Sequence, residues 1–227
     1  MRIRILTILI ALVAISCISE NEQKGLNEVA ALYNTNASYS KGFKTNNGET
    51  LNIFTIKIEN GALLDSLPEA LTSSNIALML YKSFTPKEKE AYSYIEVRKN
   101  NDSTESEGSM YDPVLLADAA DQLAIYDAFS KKIIDKDYDG VVKALKPEYQ
   151  SPTVKQNLEN FMSKLLSAHG AITEFKRIEF GIYTTQDGEK LFQFGGYFTF
   201  KDGYNQHYSV TSSMDPSIDY ITGYNIE

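Results

Sequence analysis

The chain has 227 residues, of which 43% are hydrophobic and 23% are charged, and its formal net charge is −8. This composition is typical of globular proteins, excludes a wholly disordered, collagen-like or coiled-coil chain, and is long enough for one large or two small domains. Nucleic-acid-binding proteins carry clustered basic residues, and this acidic sequence has no basic run, so we expect no nucleic-acid partner.

The N-terminal segment has the pattern of an export signal. Arg2 and Arg4 precede residues 5–15, a run in which Thr7 is the one polar residue. The run is too short to cross a bilayer, which requires about 20 apolar residues. It therefore predicts a signal peptide over residues 1–16 rather than a permanent membrane span.

The signal ends in Ala-Ile-Ser-Cys at residues 14–17, which resembles the lipobox of bacterial lipoproteins. The resemblance implies cleavage between Ser16 and Cys17 and acylation of Cys17, the only cysteine of the chain. An ordinary signal peptide that happens to contain a cysteine is the alternative interpretation. Glu20 and Glu22 resemble the acidic surface-export signal of Bacteroidetes lipoproteins. We therefore expect a membrane partner through the lipid on Cys17, and a location in the cell envelope, at the outer membrane, facing the periplasm or the cell surface.

Apolar periodicity and turn residues predict an α+β unit over residues 25–111, behind a polar tether at residues 17–24. Ser66 is a candidate N-cap for an apolar helix, and the Thr85–Glu88 capping box starts another helix. Residues 99–109 have no large apolar side chain and predict a linker. The predicted elements are a helix over 26–33, strands over 37–44 and 50–59, a helix over 68–84, and a strand over 92–98.

The C-terminal part, residues 112–227, predicts three helices followed by four strands. Asp112-Pro113 and Ser151-Pro152 are N-terminal helix signals, and Gly170 is placed to end the third helix. Asp-Gly and Asp-Pro dipeptides separate the strands and predict hairpin turns. The predicted strands run over 172–184, 189–200, 204–213 and 217–226.

This order of elements resembles the cone-shaped fold of nuclear transport factor 2-like proteins. The resemblance covers residues 113–227, and it includes the Lys136-Asp137-Tyr138 step and the exit at Gly170. It implies three helices packed on a curved antiparallel sheet. With the N-terminal unit, it predicts an α+β protein whose two structural units meet near residues 99–112.

Residues 135–140 read Asp-Lys-Asp-Tyr-Asp-Gly, which matches the first half of a calcium-binding loop. Lys143 and Lys146 stand at the ninth and twelfth positions of that loop, where oxygen ligands are required. The alternative is an acidic turn in which Asp137 caps the next helix. We expect no metal and no cofactor.

Few residues are candidates for catalysis. Some proteins with the cone fold are enzymes with an Asp base and a Tyr or Asp in the pocket, as in ketosteroid isomerase. Tyr126 and Asp127 are the comparable pair, but adjacent helical residues point about 100° apart. We expect His207 to face solvent and His169 to end a helix, with no evident acid–base partner for either. We therefore predict no catalytic residue.

Aromatic residues instead predict an apolar pocket inside the cone. Gly195 and Gly196 would leave room for a ligand, whereas interlocking rings would make a filled core. No ionisable side chain is expected on this face. The candidate pocket residues are Tyr126, Phe129, Phe161, Phe192, Phe194, Gly196 and Phe198.

The expected function is a lipid-anchored envelope module that binds a small apolar ligand or another envelope protein. An envelope enzyme of the isomerase or hydrolase type, using the same pocket, is the alternative. A structural spacer is a third interpretation. A pocket with a buried carboxylate of shifted pKa would favour the enzyme, and an exposed aromatic groove would favour binding.

Overall fold

The computed structural model describes residues 18–46, 48–59, 61–101, 104–105 and 108–227. Cys17 and the expected signal peptide, residues 1–16, lie outside these residues, so cleavage after Ser16 and lipidation of Cys17 stay predictions. The described protein is α+β, with two mostly antiparallel sheets. No helix in the described ranges is both long and apolar enough to span a bilayer.

The N-terminal sheet is built from a hairpin and a crossover. Strands β1 and β2 pair antiparallel around Gly48, whose φ of +85° is a left-handed conformation that glycine adopts easily. Strand β3 lies parallel to β2, and β4 and β5 fold back antiparallel along β3. The elements are α1 (Glu20–Tyr33), β1 (Ala37–Asn46), β2 (Glu49–Glu59), α2 (Ala62–Ser66), α3 (Glu69–Ser83), α4 (Pro86–Ala91), β3 (Tyr94–Asn101), β4 (Thr104–Glu105) and β5 (Ser109–Tyr111).

Helix α1 begins at Glu20, inside the segment that the sequence indicated as a tether. Ser19 and Glu22 form a capping box: the Ser19 hydroxyl accepts from the Glu22 amide, and the Glu22 carboxylate accepts from the Ser19 amide. Two otherwise unpaired amides are thereby satisfied, so the helix extends toward the N-terminus. Residues 20–24 are consequently helical rather than an extended spacer.

Two other N-terminal expectations are corrected. Ser66 belongs to α2, and Pro68 is the N-cap residue of α3, because α2 and α3 are separate helices. The expected linker at residues 99–109 contains the end of β3, all of β4 and the start of β5. A backbone ladder can form there because its hydrogen bonds do not require large apolar side chains. The Thr85–Glu88 capping box is confirmed.

The C-terminal part follows the predicted order of helices and strands. Asp112 and Ser151 accept amide hydrogen bonds from Val114 and Val154, and Gly170 ends the last helix at a φ of +83°. The strands form an antiparallel meander in the order β6-β7-β8-β9. The elements are α5 (Pro113–Ile134), α6 (Tyr138–Ala144), a short 3-10 turn (Pro147–Tyr149), α7 (Pro152–His169), β6 (Ile172–Thr184), β7 (Lys190–Phe200), β8 (Asn205–Ser213) and β9 (Ile221–Ile226).

Helix α3 joins the two halves. Strand β6 lies at the edge of the C-terminal sheet, where carbonyl groups lack a strand partner. The Tyr33 hydroxyl donates to the Ile178 carbonyl at 2.7 Å, and the Ser74 hydroxyl donates to the Phe180 carbonyl. Buried apolar residues of both halves form one hydrophobic cluster. The edge of the C-terminal sheet is therefore covered by side chains of the N-terminal half.

Candidate functional site

Most of the expected pocket residues lie together inside the C-terminal part, but their rings fill the space between them. Tyr126 stacks on Tyr208 with ring centroids 5.4 Å apart, and Phe198 stacks on the same ring at 3.9 Å. Phe194 packs on Phe180 at 5.4 Å. These side chains are all buried. The interior among these rings is a packed aromatic core.

The remaining pocket candidates give the same result. Phe192 packs on Phe180 at 5.6 Å, and Phe129 packs on Tyr224 at 5.3 Å. Phe161 is 38% exposed, because α7 buries its Leu158–Met162 side rather than the face that carries Phe161. Phe161 therefore contributes no wall to the interior.

Gly196 does not leave a void. A Cβ atom at this position would clash with the Tyr126 hydroxyl and with the backbone carbonyl of Lys176. Glycine is required here because these groups approach the strand closely. The space that the sequence suggested for a ligand is therefore occupied by the Tyr126 side chain.

The inner face of the sheet also carries a cation, which corrects the expectation of a face without ionisable groups. Arg177 pairs with Gly196 across β6 and β7, on the face of the phenylalanines. A β-bulge between Arg177 and Glu179 interrupts the alternation, so that Arg177 and Phe180 point inward while Glu179 points outward. Burial lowers the pKa of the Arg177 guanidinium, since desolvation disfavours its charged form. Strict alternation could not have shown this arrangement.

Several polar groups surround Arg177. Ser130 and Tyr208 share a hydrogen bond of 2.6 Å between their hydroxyl oxygens, and Asn75 donates to the Tyr33 hydroxyl at 2.7 Å. By contrast, the Arg177 Nε is buried without a hydrogen-bond partner among the described residues. Buried polar atoms are almost always satisfied, so this atom is an exception.

The opposite face of the C-terminal sheet carries a groove, which the sequence analysis did not predict. It has a volume of about 320 Å³ and crosses the meander, because Gln193, Thr211 and Gly223 are register partners on β7, β8 and β9. We call it the outer groove. It contains no charged side chain and is lined by Tyr183, Gln193, Ser209, Thr211, Gly223, Tyr224 and Asn225.

The side chains of the outer groove have free hydrogen-bonding capacity. The Gln193 amide and the Ser209 hydroxyl make no hydrogen bond with any residue in the described ranges. Thr211 is already engaged, since its hydroxyl donates to the Gly223 carbonyl at 3.2 Å. Tyr183 is 46% exposed and offers an aromatic surface at one end. The groove can therefore both hydrogen-bond a ligand and pack against it.

An acid–base pair lies beside the outer groove and corrects the expectation for His207. The His207 Nε2 and a Glu179 carboxylate oxygen are 3.1 Å apart, and Glu179 is only 6% exposed. Gly195 makes room for this carboxylate, which would clash with any Cβ there. The hydrogen bond to Glu179 raises the pKa of His207, against the smaller opposing effect of desolvation. The partners are 28 positions apart in sequence, so local patterns could not reveal the pair.

The other histidine also has a partner. The His169 Nδ1 lies 2.9 Å from a carboxylate oxygen of Asp202, and its ring stacks on Tyr204 with centroids 3.9 Å apart. These contacts hold the end of α7 against the β7–β8 turn. His169 therefore has a structural role, and it lies at the end of α7, as the sequence predicts.

The acidic turn at residues 135–140 is a helix start. The Asp137 carboxylate accepts from the Gly140 amide at 2.9 Å, as an N-cap does. The Lys155 ammonium lies 2.8 Å from the Asp139 carboxylate, so one carboxylate of the calcium-loop pattern already forms an ion pair. Among the described residues, no three His, Cys, Asp or Glu side chains come together in a way that could hold a metal ion.

Comparisons with protein-family models, with curated proteins and with solved structures gave no match. The function is therefore inferred from side chains and their geometry. Among the described residues discussed above, unpaired polar groups lie in the outer groove and at the Arg177 Nε, on the opposite face of the same sheet.

Proposed function

We propose that the protein is a lipid-anchored binding module of the cell envelope, with its ligand site in the outer groove. The observation that carries this proposal is a groove of about 320 Å³ whose Gln193 and Ser209 side chains have no described partner. Small-molecule sites are concave and contain a few convergent polar groups, which this groove provides. The packed rings around Tyr126 favour this site over the cone interior.

The chemistry of the groove favours a neutral ligand rich in hydroxyl or amide groups, such as a sugar residue. Amide and hydroxyl side chains both donate and accept hydrogen bonds, which suits a ligand with many hydroxyl groups. The exposed Tyr183 ring supplies an apolar surface with a polar tip. No lysine, arginine, aspartate or glutamate lines the groove, so a charged ligand would find no counterion there.

The lipid anchor is part of the proposal. Ile18 packs on the core and α1 begins at Glu20, so a lipid on Cys17 would hold the folded body close to the membrane. A diacylglycerol and an amide-linked acyl chain exceed the two signals that stable anchoring requires. Intact mass of the purified protein tests this: we expect residues 17–227 plus three acyl chains, and the bare polypeptide mass would contradict it.

We also propose that the C-terminal part has the cone-shaped fold of nuclear transport factor 2-like proteins. Its support is the order of elements, with α5, α6 and α7 followed by the β6-β7-β8-β9 meander. The inward aromatic side chains of β7 and β8 pack against α5, as a cone of this kind requires. A fold likeness says nothing about the ligand, which must be argued from the groove.

Binding can be tested with the full chain in detergent against a panel of neutral mono- and disaccharides by calorimetry. We expect at least one saccharide to bind the native protein. Gln193→Ala should weaken that binding about tenfold, since it removes a hydrogen-bonding amide at a cost near 1.4 kcal/mol. Gln156→Ala, an exposed glutamine of α7, is the matched control and should bind as the native protein does. If both variants bind the saccharide equally well, the binding site lies outside the outer groove.

The alternative is an envelope enzyme of the hydrolase type acting in the outer groove. The observation that favours it is the His207–Glu179 pair: Glu179 and Ser209 are both register partners of Gly195, and His207 lies two residues before Ser209 on β8. A histidine held by a buried carboxylate can act as a general base. Turnover of a bound saccharide that is lost in His207→Gln, with binding retained, would establish the enzyme. Binding without turnover supports the binding module.

A further inference from the structure

We infer that the β1–β2 hairpin docks on the bilayer beside the lipid anchor, with the Phe43 ring in contact with the acyl chains. The inference rests on the proposed lipid on Cys17, and it adds the surface that the protein turns toward the membrane. Phe43 is 73% exposed, the highest value among the large exposed apolar side chains of the described residues. A single exposed apolar residue is common, so the position of Phe43 must carry the argument.

Phe43 and the start of α1 lie at the same end of the N-terminal half. Helix α1 and strand β1 are joined by residues 34–36, and the Lys41 Nζ lies 2.7 Å from a Glu22 carboxylate oxygen. The two elements therefore run side by side in opposite directions. Helix α1 rises about 20 Å along its length, and residues 37–43 of β1 rise about as much. Phe43 is consequently level with the first turn of α1.

The Phe43 ring lies on the face of β1 that α1 covers farther along the strand. Side chains two positions apart on a strand share a face, so Phe43 shares the face of Lys41 and Tyr39. Tyr39 stacks on the buried Phe54 ring with centroids 5.9 Å apart, and Lys41 contacts α1. Phe43 is the next side chain on this face, but α1 begins at its level, so most of the ring is left open. The next residue that can carry an apolar group here is the lipidated Cys17.

The link between the lipid and the folded body is short. Ile18 packs against the hydrophobic core, and Ser19 and Glu22 each accept a hydrogen bond from the other's backbone amide. Consecutive Cα atoms are about 3.8 Å apart, so a lipid on Cys17 attaches within one residue of the ordered structure. The membrane surface must then pass close to the first turn of α1, at the level of Phe43.

A bilayer fits this surface better than a protein partner does. One aromatic ring is far less than the area that a stable protein interface buries. A lipid anchor already holds the membrane at this end of the molecule, so one inserted ring is enough to add a contact. Lys44, whose side chain is 52% exposed, can extend to the headgroups, and the exposed Thr45 and Glu49 near the hairpin turn are polar, as the headgroup region requires.

The absence of tryptophan from the chain provides a direct experiment, because Phe43→Trp introduces a single fluorescent reporter. The lipidated variant is purified from membranes and reconstituted into phosphatidylcholine vesicles with or without bromine on the acyl chains. We expect the emission to shift to the blue on reconstitution, and brominated lipid to lower it by about half, since the ring would lie at the acyl boundary. Phe161→Trp, which alters the exposed ring of α7, is the matched control and should be neither shifted nor quenched.

Flotation of the same vesicles separates this inference from the proposed anchor. Protein that does not float has no anchor, and both proposals then fail. Protein that floats while the reporter of Phe43→Trp is quenched no more than that of Phe161→Trp keeps the anchor and overturns the inference. A blue shift without quenching also overturns it, because the ring would then be covered by protein, such as a second copy of the chain.

A longer link tests the positioning of the hairpin. About ten glycine and serine residues inserted between Cys17 and Ile18 form a flexible coil, so the quenching in Phe43→Trp should fall while flotation is retained. Undiminished quenching with the insertion would overturn the inference that the short link places Phe43 on the membrane.

Discussion

At the scale of single residues, close approach explains positions that the sequence suggested were empty. Gly196 lies against the Tyr126 hydroxyl and a backbone carbonyl, and Gly195 lies against the Glu179 carboxylate. Neither has a left-handed backbone, so what requires glycine is the absence of a side chain. A glycine inside a strand marks either a void or a close neighbour, and only the neighbour's position distinguishes them.

Gly196→Ala should therefore be strongly destabilising. The added Cβ would overlap the Tyr126 hydroxyl and the Lys176 carbonyl, and we expect a loss of about 1–3 kcal/mol in the free energy of unfolding. Gly42→Ala is the matched control: it is also in a strand, but no atom lies within 4 Å of its Cβ position. Measured by urea unfolding, the free energy of unfolding of Gly42→Ala should differ from that of the native protein by no more than about 0.5 kcal/mol. Equal effects would mean that crowding is not the cause.

The His207–Glu179 pair should make stability depend on pH. The pKa of His207 is raised in the folded protein, so the pair contributes fully below the unfolded pKa, about 6.5, and the contribution is lost as pH rises through the folded pKa. His207→Gln should then cost more stability at about pH 5.5 than at about pH 9.

The same pair can be followed directly by NMR. Glu179→Gln removes the charge that favours imidazolium, so the titration midpoint of His207 should fall relative to the native protein. The proposed interaction is contradicted if the midpoint does not move in Glu179→Gln. It is also contradicted if His207→Gln lowers the free energy of unfolding equally at both pH values.

At the scale of elements, most helix starts follow from local residue patterns, whereas contacts between residues far apart in the chain do not. The N-caps at Asp112, Ser151 and Thr85 were predictable, because a cap depends on residues within one turn. The orientation of Phe161 was not, because which side of α7 is buried depends on what packs against it. The bulge that turns Arg177 inward leaves no mark in the hydrophobic pattern.

The contact between α1 and β6 is a second feature that local sequence patterns do not predict. The Tyr33 hydroxyl bonds a carbonyl 145 positions away in sequence, which satisfies the open edge of β6. Tyr33→Phe removes this bond and the acceptor of the Asn75 amide, and it leaves both groups buried. We expect a loss of about 1–3 kcal/mol in unfolding free energy.

A matched substitution controls for removal of a phenol hydroxyl in itself. Tyr183→Phe alters an exposed ring and should change the unfolding free energy by less than about 0.5 kcal/mol. Denaturant unfolding of both variants gives the comparison. A small effect at Tyr33 would show that water satisfies the edge of β6 as well as the protein does.

At the scale of the whole molecule, the two predicted units share one hydrophobic cluster. Helix α3 belongs to the N-terminal half, and its Ser74 bonds the edge strand of the C-terminal sheet. The division near residues 99–112 stays a prediction about the chain, and the shared core indicates that the two parts depend on each other.

Limited proteolysis examines this dependence. If cleavage occurs within residues 99–112, we expect the two pieces to remain associated in gel filtration, because the buried contacts between α3 and β6 hold one piece to the other. Residues 112–227 expressed alone should expose apolar surface and aggregate. A monomeric, cooperatively folded fragment would instead establish two independent domains.

The central claim is that the outer groove of the C-terminal sheet binds a neutral, hydroxyl-rich ligand. Amide chemical-shift mapping of the isotopically labelled full chain in detergent, titrated with the saccharide panel, tests it most directly. We expect shifts that saturate and that cluster at Gln193, Ser209, Thr211 and Asn225, which line the groove. Shifts confined to other surfaces, or none with any saccharide of the panel, would contradict the claim.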